Sequence, residues 1–362
     1  MVAAALVVRL PVAGMALILK RPAGPWVEAA GSALLFGLVA PIAKKLGREV
    51  SPLLLSGLLY LGAGLALSVA GALRKSREAK LDRRDAPTMI AMILVGGVAG
   101  PLLLLLGLAR AGGIAASLLL NLQTVFTAVV AALFFGEHVG VRGAVALVLI
   151  VGGAALAGFD SAGGGTLAGA LLIAGACLAW AIDDNLTRNV SGKSALAVAQ
   201  VKCLGAGAIA LAAALVSGDR FPNFATLAQA LFAGALGVGA SLVLYVRALR
   251  GLGVARTNGL FATAPFVGAL AAIPLLGERP SLLIPVAGLL MAAGAALLLL
   301  ERHGHLHAHE PIEHEHLHTH DDHHHHAHSG DEAAEPHAHR HVHEPLLHDH
   351  PHLPDLHHRH RH

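Results

Sequence analysis

The sequence predicts an all-α integral membrane protein with a C-terminal tail that lies in water. Of its 362 residues, 55% are hydrophobic and 14% are charged, and the mean hydropathy is +0.64 with the polar tail included. A bilayer core about 30 Å thick needs roughly 20 apolar residues per spanning helix. Leu, Ala and Gly dominate without the alternation of a barrel strand, so helices are the expected spanning elements. By contrast, 24 of the 25 histidines lie between His303 and His362.

The apolar part of the chain divides into ten segments of helix length. Short polar turns separate most of them, among them Gly47-Arg48-Glu49, Asp160-Ser161 and Ser217-Gly218-Asp219-Arg220. We therefore expect ten transmembrane helices, near residues 28–45, 51–72, 88–108, 114–135, 141–158, 166–187, 195–216, 225–246, 255–276 and 281–300.

Residues 1–27 form an N-terminal lead with more than one interpretation. The stretch Val2–Leu19 is apolar, but a charge and a proline interrupt it and no clear small-residue cleavage site follows. It is therefore either an uncleaved signal-like segment or an eleventh helix. Alternatively, translation starts at Met15, which gives a short basic lead into the first helix.

The basic residues predict the orientation. The densest cluster outside the tail follows the second helix, and the positive-inside rule places that loop in the cytoplasm; it contains Arg74, Lys75, Arg77, Lys80, Arg83 and Arg84. With short hairpins, both termini and the loops carrying Lys193 and Arg250 fall on the same side. Lys44, Lys45 and Arg48 then lie outside, against the rule. We expect a multi-pass protein of the inner membrane with both termini cytoplasmic.

The body repeats itself at a nearly constant offset. Ala116–Phe126, which leads to Gly136-Glu137, recurs 141 residues later as Thr257–Phe266, which leads to Gly277-Glu278. Two units follow, at residues 28–158 and 165–300. Because each has five helices, an odd number, the two units insert with opposite topology. Inverted repeats of this kind are typical of secondary transporters.

These features resemble those of the drug/metabolite transporter superfamily, in particular the EamA-type ten-helix permeases. The resemblance covers roughly residues 28–300 and rests on the two Gly-Glu helix endings and on Cys177–Ala181 followed by Leu186-Thr187-Arg188. It implies proton-coupled or passive movement of small metabolites and no enzymatic activity. The chain has no phosphate loop of the GxxxxGK[ST] type. It departs from the repeat where Gln123-Thr124 stand opposite Ala264-Pro265, so the fourth helix lacks the expected proline.

Three ionisable residues inside predicted helices are the leading functional candidates, because such groups are costly in lipid. Asp183 and Asp184 lie in the sixth helix and Lys202 in the seventh, at similar depths of roughly 10–12 Å on either side of one turn. Two interpretations stay open. The first is a structural ion pair, supported by Arg188 one turn beyond Asp184. The second is a site for substrate or proton, in which one carboxylate pairs with Lys202 and the other titrates.

Other polar residues in the spans have simpler explanations. The amides of Asn121, Gln123 and Asn258 either hydrogen-bond substrate or join helices. Glu28 is expected at the interface beside Trp26. Glu137, Glu278 and the cysteines Cys177 and Cys203 are interpreted as structural. The aromatic content of 4% predicts no cage of rings for a cationic drug.

The tail, residues 301–362, is hydrophilic and interrupted by prolines, so we expect it to be disordered unless metal folds it. Alternating His-X-His places successive imidazoles on one side of an extended chain, and imidazole suits Zn, Ni, Co and Cu. Alternatively, the tail is a pH-responsive polycation or an inert extension. The candidate ligands are His309, His314, His316, His318, His323, His324, His325, His326, His343, His348, His350 and His352.

Together these observations predict a permease that moves a small solute by alternating access, with a cytoplasmic tail that binds metal and buffers or gates. One alternative is a divalent transition-metal transporter, although no histidine lies in a predicted span. The other is a membrane-anchored metal store or sensor. The expected partners are the lipid bilayer and a small-molecule or ion substrate, not nucleic acid, and a homodimer is left open. No cofactor is required beyond tail-bound metal.

Overall fold

The structure is a computed structural model. It describes residues 24–72, 79–135, 140–159, 166–190, 193–252, 257 and 260–300. It also describes the backbone of 304–308, 312–318, 337–343 and 347–351. Residues 1–23 of the N-terminal lead therefore lie outside the described residues, as do Glu137, Asn258, His309, His323–His326 and His352.

The body is a bundle of apolar helices. In the described part of the chain, eight helices are long and apolar enough to cross a membrane, and two further apolar helices are shorter. In chain order they are α1 (Pro25–Leu46), α2 (Pro52–Ala72), α3 (Ala86–Leu108), α4 (Gly113–Phe135), α5 (Val141–Phe159), α6 (Leu167–Thr187), α7 (Ala195–Val216), α8 (Phe224–Leu252), α9 (Ala264–Leu276) and α10 (Leu283–Leu300).

Four of these helices change geometry part-way along. In α1 the segments Pro25–Gly37 and Val39–Leu46 meet at Leu38, and in α4 the segments Gly113–Leu119 and Leu122–Phe135 meet at Leu120 and Asn121. Helix α4 therefore breaks without the proline that the second repeat has at that place.

Helices α3 and α8 each contain a π-helical turn. In α3 it covers Ile93–Ala99, between Ala86–Met92 and Gly100–Leu108. In α8 it covers Gly234–Ala240, between Phe224–Ala233 and Ser241–Leu252. The two turns are 141 residues apart, which is the offset of the sequence repeat. Because π turns inside α-helices are rare and often lie at functional sites, this agreement relates the two halves in structure as well as in sequence.

Glycines bring α2 against α7 and α8 at backbone distance. A Cβ added at Gly57 would lie 2.8 Å from the Leu211 amide nitrogen, and one added at Gly207 would lie 2.7 Å from the Leu61 amide nitrogen. Close approach through small residues is a usual way for membrane helices to pack. The α2–α7 contact joins the first half of the bundle to the second.

The loops at each end of α2 and α7 are tied together. At one end, the Nζ of Lys193 lies 3.0 Å from the Oδ2 of Asp82 and 3.3 Å from the Oδ2 of Asp85. The hydrogen bond from Lys193 holds the pKa of the Asp82 carboxyl below its ordinary value. We call this contact the Lys193 clamp.

At the other end, the Thr226 hydroxyl donates to the Glu49 carboxylate at 2.6 Å, and the Ser51 hydroxyl donates to Asp219. We call this contact the Glu49 clamp. Each clamp joins a loop of one half to a loop of the other.

Four described segments of the tail form β-strands, although the sequence predicts disorder there. Strand β1 (Gly304–Ala308) pairs antiparallel with β4 (Leu347–Pro351), and β2 (Ile312–His318) pairs antiparallel with β3 (His337–His343). The prediction of a wholly disordered tail is corrected there. The physical reason is the His-X-His alternation, whose period of two residues is also that of a strand.

Candidate functional site

The centre of the site is formed by two neighbouring carboxylates that face in different directions. Asp183, only 4% exposed, accepts a hydrogen bond from the Lys202 ammonium of α7. The pairing that helix depth predicts between these residues is therefore present. The other carboxylate oxygen of Asp183, Oδ1, has no hydrogen-bond partner among the described residues.

The Asp183–Lys202 pair packs on the π turn of α3. Asp183 lies against Gly96, where an added Cβ would overlap its carboxylate. The carbonyl of Gly96 accepts hydrogen bonds from the Trp180 indole at 2.9 Å and from the Tyr60 hydroxyl at 3.4 Å. The π turn leaves this carbonyl available to side chains. The ion pair is thus surrounded by polar contacts from α2, α3 and α6.

Asp184 faces a different part of the bundle. Its carboxylate accepts hydrogen bonds from the Gln123 amide at 2.9 Å and from the Thr127 hydroxyl at 3.4 Å, both in α4. It also lies close enough to the Tyr245 hydroxyl of α8 for the two groups to interact electrostatically. Asp184 is nevertheless exposed. The Asp184 carboxylate thus interacts with groups of α4 and α8.

Three aromatic rings from three different helical segments pack together, and one of them is Tyr245. The ring of Phe261 lies 5.1 Å from that of Phe36 in α1 and 5.1 Å from that of Tyr245, in tilted and edge-on arrangements. All three side chains are partly exposed. The low aromatic content predicts no cage of rings, and within the described residues these three aromatic side chains pack against one another.

A second buried ion pair lies at the start of α1. Glu28 is 5% exposed, and its carboxylate lies 3.4 Å from the Nε of Arg247 in α8. One turn deeper, the hydroxyls of Ser32 and Ser241 donate to each other's backbone carbonyls at 2.9 and 3.0 Å. Glu28 lies in the first turn of α1, so its interfacial depth stays a prediction, while its pairing with Arg247 was not predicted. The residue that buries it lies far away in the sequence, and no pattern in the sequence identifies it.

Glu278 and Lys44 form a polar cluster at the end of the bundle that carries the Glu49 clamp. Glu278 accepts hydrogen bonds from the backbone amides of Gly113 and Ile114 at 2.6 and 2.9 Å, so it caps the first turn of α4. The Lys44 ammonium donates to the carbonyls of Leu108 and Ala111, at the end of α3. Glu278 is thus a structural residue that joins the second half of the bundle to the first.

Not every predicted site residue joins the centre. Asn121 is buried, and its amide donates to the Leu118 carbonyl at 3.1 Å and approaches the Met291 sulfur at 3.7 Å, so it connects the break in α4 to α10. Cys177 and Cys203 are both free and buried.

Comparison with known proteins identifies the family. The model of the EamA-like transporter family matches this chain twice, over residues 27–159 and 167–300. The chain belongs to the EamA-like transporter family. It is therefore a multi-pass membrane protein with two EamA repeats.

Two sequence relatives and one solved structure are similar to this EamA chain, and none of their descriptions names a substrate. An uncharacterized transporter of Methanothermobacter thermautotrophicus is 26% identical over 285 residues, which cover 73% of this chain and 83% of the relative. An uncharacterized protein of Pseudomonas aeruginosa is 33% identical over 179 residues, or 49% of this chain and 62% of the relative. One crystal structure has a TM-score of 0.57 and 20% identity, covering 75% of this chain and 95% of its own.

Corresponding positions of the two EamA repeats carry different side chains. Gly237 in the π turn of α8 lies 141 residues after Gly96 in α3, and it packs against Val39. Val39 is the counterpart of Asp183, because Leu35-Phe36-Gly37 aligns with Ala179-Trp180-Ala181 at an offset of 144 residues. The same close contact is thus apolar in one half and charged in the other. The acidic pair is confined to the second repeat.

Proposed function

We propose that this chain is a permease that moves a small solute across the inner membrane by alternating access between two inverted five-helix repeats. One observation carries the proposal. The exposed Asp184 carboxylate accepts hydrogen bonds from Gln123 and Thr127, so residues of both repeats contribute to a single polar site. Secondary transporters with inverted repeats bind substrate at the interface of the two repeats.

The pivot for this movement is the α2–α7 contact. Backbone packing at Gly57 and Gly207 makes the two helices one rigid unit, and the Lys193 and Glu49 clamps join the loops at its two ends. Helices α1, α4 and α9 then move relative to this unit and to α6, which stays with α7. Asp184 and Gln123 face the path, while Asp183 and Lys202 hold α6 against α7 and Asn121 holds the break in α4.

A flux measurement tests the proposal. Full-length protein is reconstituted into liposomes, and uptake of solutes from a small-molecule extract of bacterial cytoplasm is compared with uptake into protein-free vesicles. We expect specific uptake by the wild type and its loss in Asp184→Asn. Asp183→Asn/Lys202→Met, which removes both charges of the structural pair, is expected to keep a substantial part of the flux. The absence of any specific uptake by the wild type would reject the permease function.

For the tail we propose cytoplasmic binding of divalent transition metal, with Zn, Ni, Co and Cu as the candidates. The backbone register supports this, because it sets histidines opposite one another: His305 and His350, His307 and His348, His314 and His341, His316 and His339, and His318 and His337. Directly opposite residues of antiparallel strands lie about 4.5–5.5 Å apart. That spacing suits two ligands of one ion.

Removal of residues 303–362 tests the role of the tail. Equilibrium dialysis against ZnCl2 is expected to show several bound ions per full-length chain and none above background for the truncated chain, with solute uptake unchanged. Equal zinc binding by the two forms would refute the tail site.

Cellular metal content then separates the alternatives: lost metal flux favours a metal transporter, and lost metal tolerance with intact solute flux favours a store. In the described residues no group of three or more His, Cys, Asp or Glu could hold a metal, so no observation there favours a metal path.

A further inference from the structure

Three carboxylates of described residues, those of Glu28, Asp183 and Asp184, face two cations, Lys202 and Arg247. Lys202 is hydrogen-bonded to Asp183, and Arg247 is paired with Glu28. Among the side chains that the structure describes, the hydrogen-bond partners of Asp184 are the uncharged Gln123 and Thr127. Two of the described acids are thus paired with bases, and the described hydrogen-bond partners of a third, Asp184, are neutral. Because a carboxylate within a membrane span is costly without a counter-charge, the site favours a cation.

The aromatic cluster that contains Tyr245 indicates what kind of cation fits. Phe36, Phe261 and Tyr245 form a continuous aromatic surface with 5.1 Å between neighbouring ring centres. Tyr245 is the member of this surface that interacts with Asp184. Ring faces attract positive charge and also bury apolar surface. A proton or a metal ion would satisfy the carboxylate alone, whereas an organic cation would use both the carboxylate and the rings.

From this arrangement we infer that the transported solute is a small organic cation, which carries an ammonium or another positively charged group next to an apolar moiety. The charged group binds Asp184 beside the Gln123 amide and the Thr127 hydroxyl, and the apolar moiety lies against Phe261 and its neighbouring rings. An anion is repelled by Asp184. This inference rests on the proposed permease function and adds the charge and class of its substrate.

The experiment identifies the accumulated solutes by their charge. Proteoliposomes with the full-length chain are incubated with the small-molecule extract, filtered and rinsed, and their contents are analysed by mass spectrometry against protein-free vesicles. We expect the enriched solutes to carry a net positive charge at pH 7. We expect about a tenfold or greater loss of their enrichment in Asp184→Asn, and retention in the control Arg279→Gln, whose exposed side chain lies outside the site and both clamps.

A second variant keeps the test valid if Asp184→Asn does not fold. Phe261→Leu keeps apolar volume but removes the central ring, and we expect cation enrichment to fall by about threefold or more. Enrichment of anions, zwitterions or neutral solutes by the wild type would overturn the cation inference and leave the permease function intact. So would equal cation enrichment by folded Asp184→Asn. If the wild type enriches no solute, the permease function itself fails.

Discussion

At the scale of single residues, the two neighbouring acids Asp183 and Asp184 have different contacts. Asp183 is buried with Lys202 against the π turn of α3, and Asp184 is exposed beside α4 and α8. Adjacent positions on a helix point about 100° apart, so one α6 turn can serve a structural contact and an exposed site. We propose that the structural interpretation of the acidic pair applies to Asp183 and the functional one to Asp184.

The Asp183–Lys202 pair is expected to behave as a buried ion pair in stability measurements. Lys202→Met should lower the free energy of unfolding by about 3–5 kcal/mol, because it leaves the Asp183 charge buried without its partner. The double variant Asp183→Asn/Lys202→Met should regain much of this loss. Unfolding in mixed detergent micelles measures both. Additive losses in the double variant would show that the two charges do not interact.

The Lys193 clamp gives a dependence on pH. The pKa of Asp82 is lowered in the folded state by its hydrogen bond from Lys193, so the clamp stabilises the fold above the ordinary carboxyl pKa. This contribution is lost as the pH falls through the lower, folded-state value. The melting temperature of wild type should exceed that of Asp82→Asn by the same small margin from about pH 7 to pH 5, and the margin should shrink as the pH falls below the ordinary carboxyl pKa. A margin that grows on acidification would contradict this linkage.

At the scale of helices, contacts between the two repeats are made by caps and glycines. Glu278, from the end of α9, caps α4 of the other repeat. Replacing it with Gln keeps its size but removes the charge from the helix N-terminus, and replacing it with Ala removes the acceptor as well. We expect Glu278→Ala to cost about 1–2 kcal/mol and Glu278→Gln less. The exposed neighbour Arg279 provides the control as Arg279→Ala, and an equal loss there would refute the capping role.

The glycines of the α2–α7 contact are expected to be intolerant of a methyl group. Gly207→Ala should cost about 1–3 kcal/mol by overpacking against Leu61. Gly288→Ala is the matched control, since nothing lies within 4 Å of its added Cβ, and it should be neutral or slightly stabilising. Thermal unfolding of the purified variants compares them. If the two substitutions have the same effect, the backbone contact is not what stabilises this pair of helices.

Hydropathy predicted the helices well because lipid permits few alternatives for an apolar chain. The Asp183–Lys202 contact was predictable because depth in a helix scales with residue number. The Glu28–Arg247 pair and the three-ring cluster were not, because their members come from helices that only tertiary packing brings together. The break in α4 occurs without a proline, and no hydropathy or repeat pattern in the sequence predicts the π turns.

At the scale of the whole molecule, two related halves are joined along α2 and α7 and meet at the site around Asp184. The matching π turns in α3 and α8 preserve the relation between the repeats, while the acidic pair in α6 breaks it. Under the proposed alternating access, the two similar repeats provide two equivalent conformations and the acidic pair provides the binding chemistry.

Access to the centre from both sides of the membrane tests alternating access most directly. Cys177 and Cys203 are first replaced by Ala, and Thr127→Cys then places a single thiol beside Asp184. Membrane-impermeant thiol reagents are applied separately to the two faces of oriented vesicles, and labelling is followed by mass. Alternating access predicts that the thiol is labelled from each face. Labelling from one face alone, at any time of exposure, would contradict it.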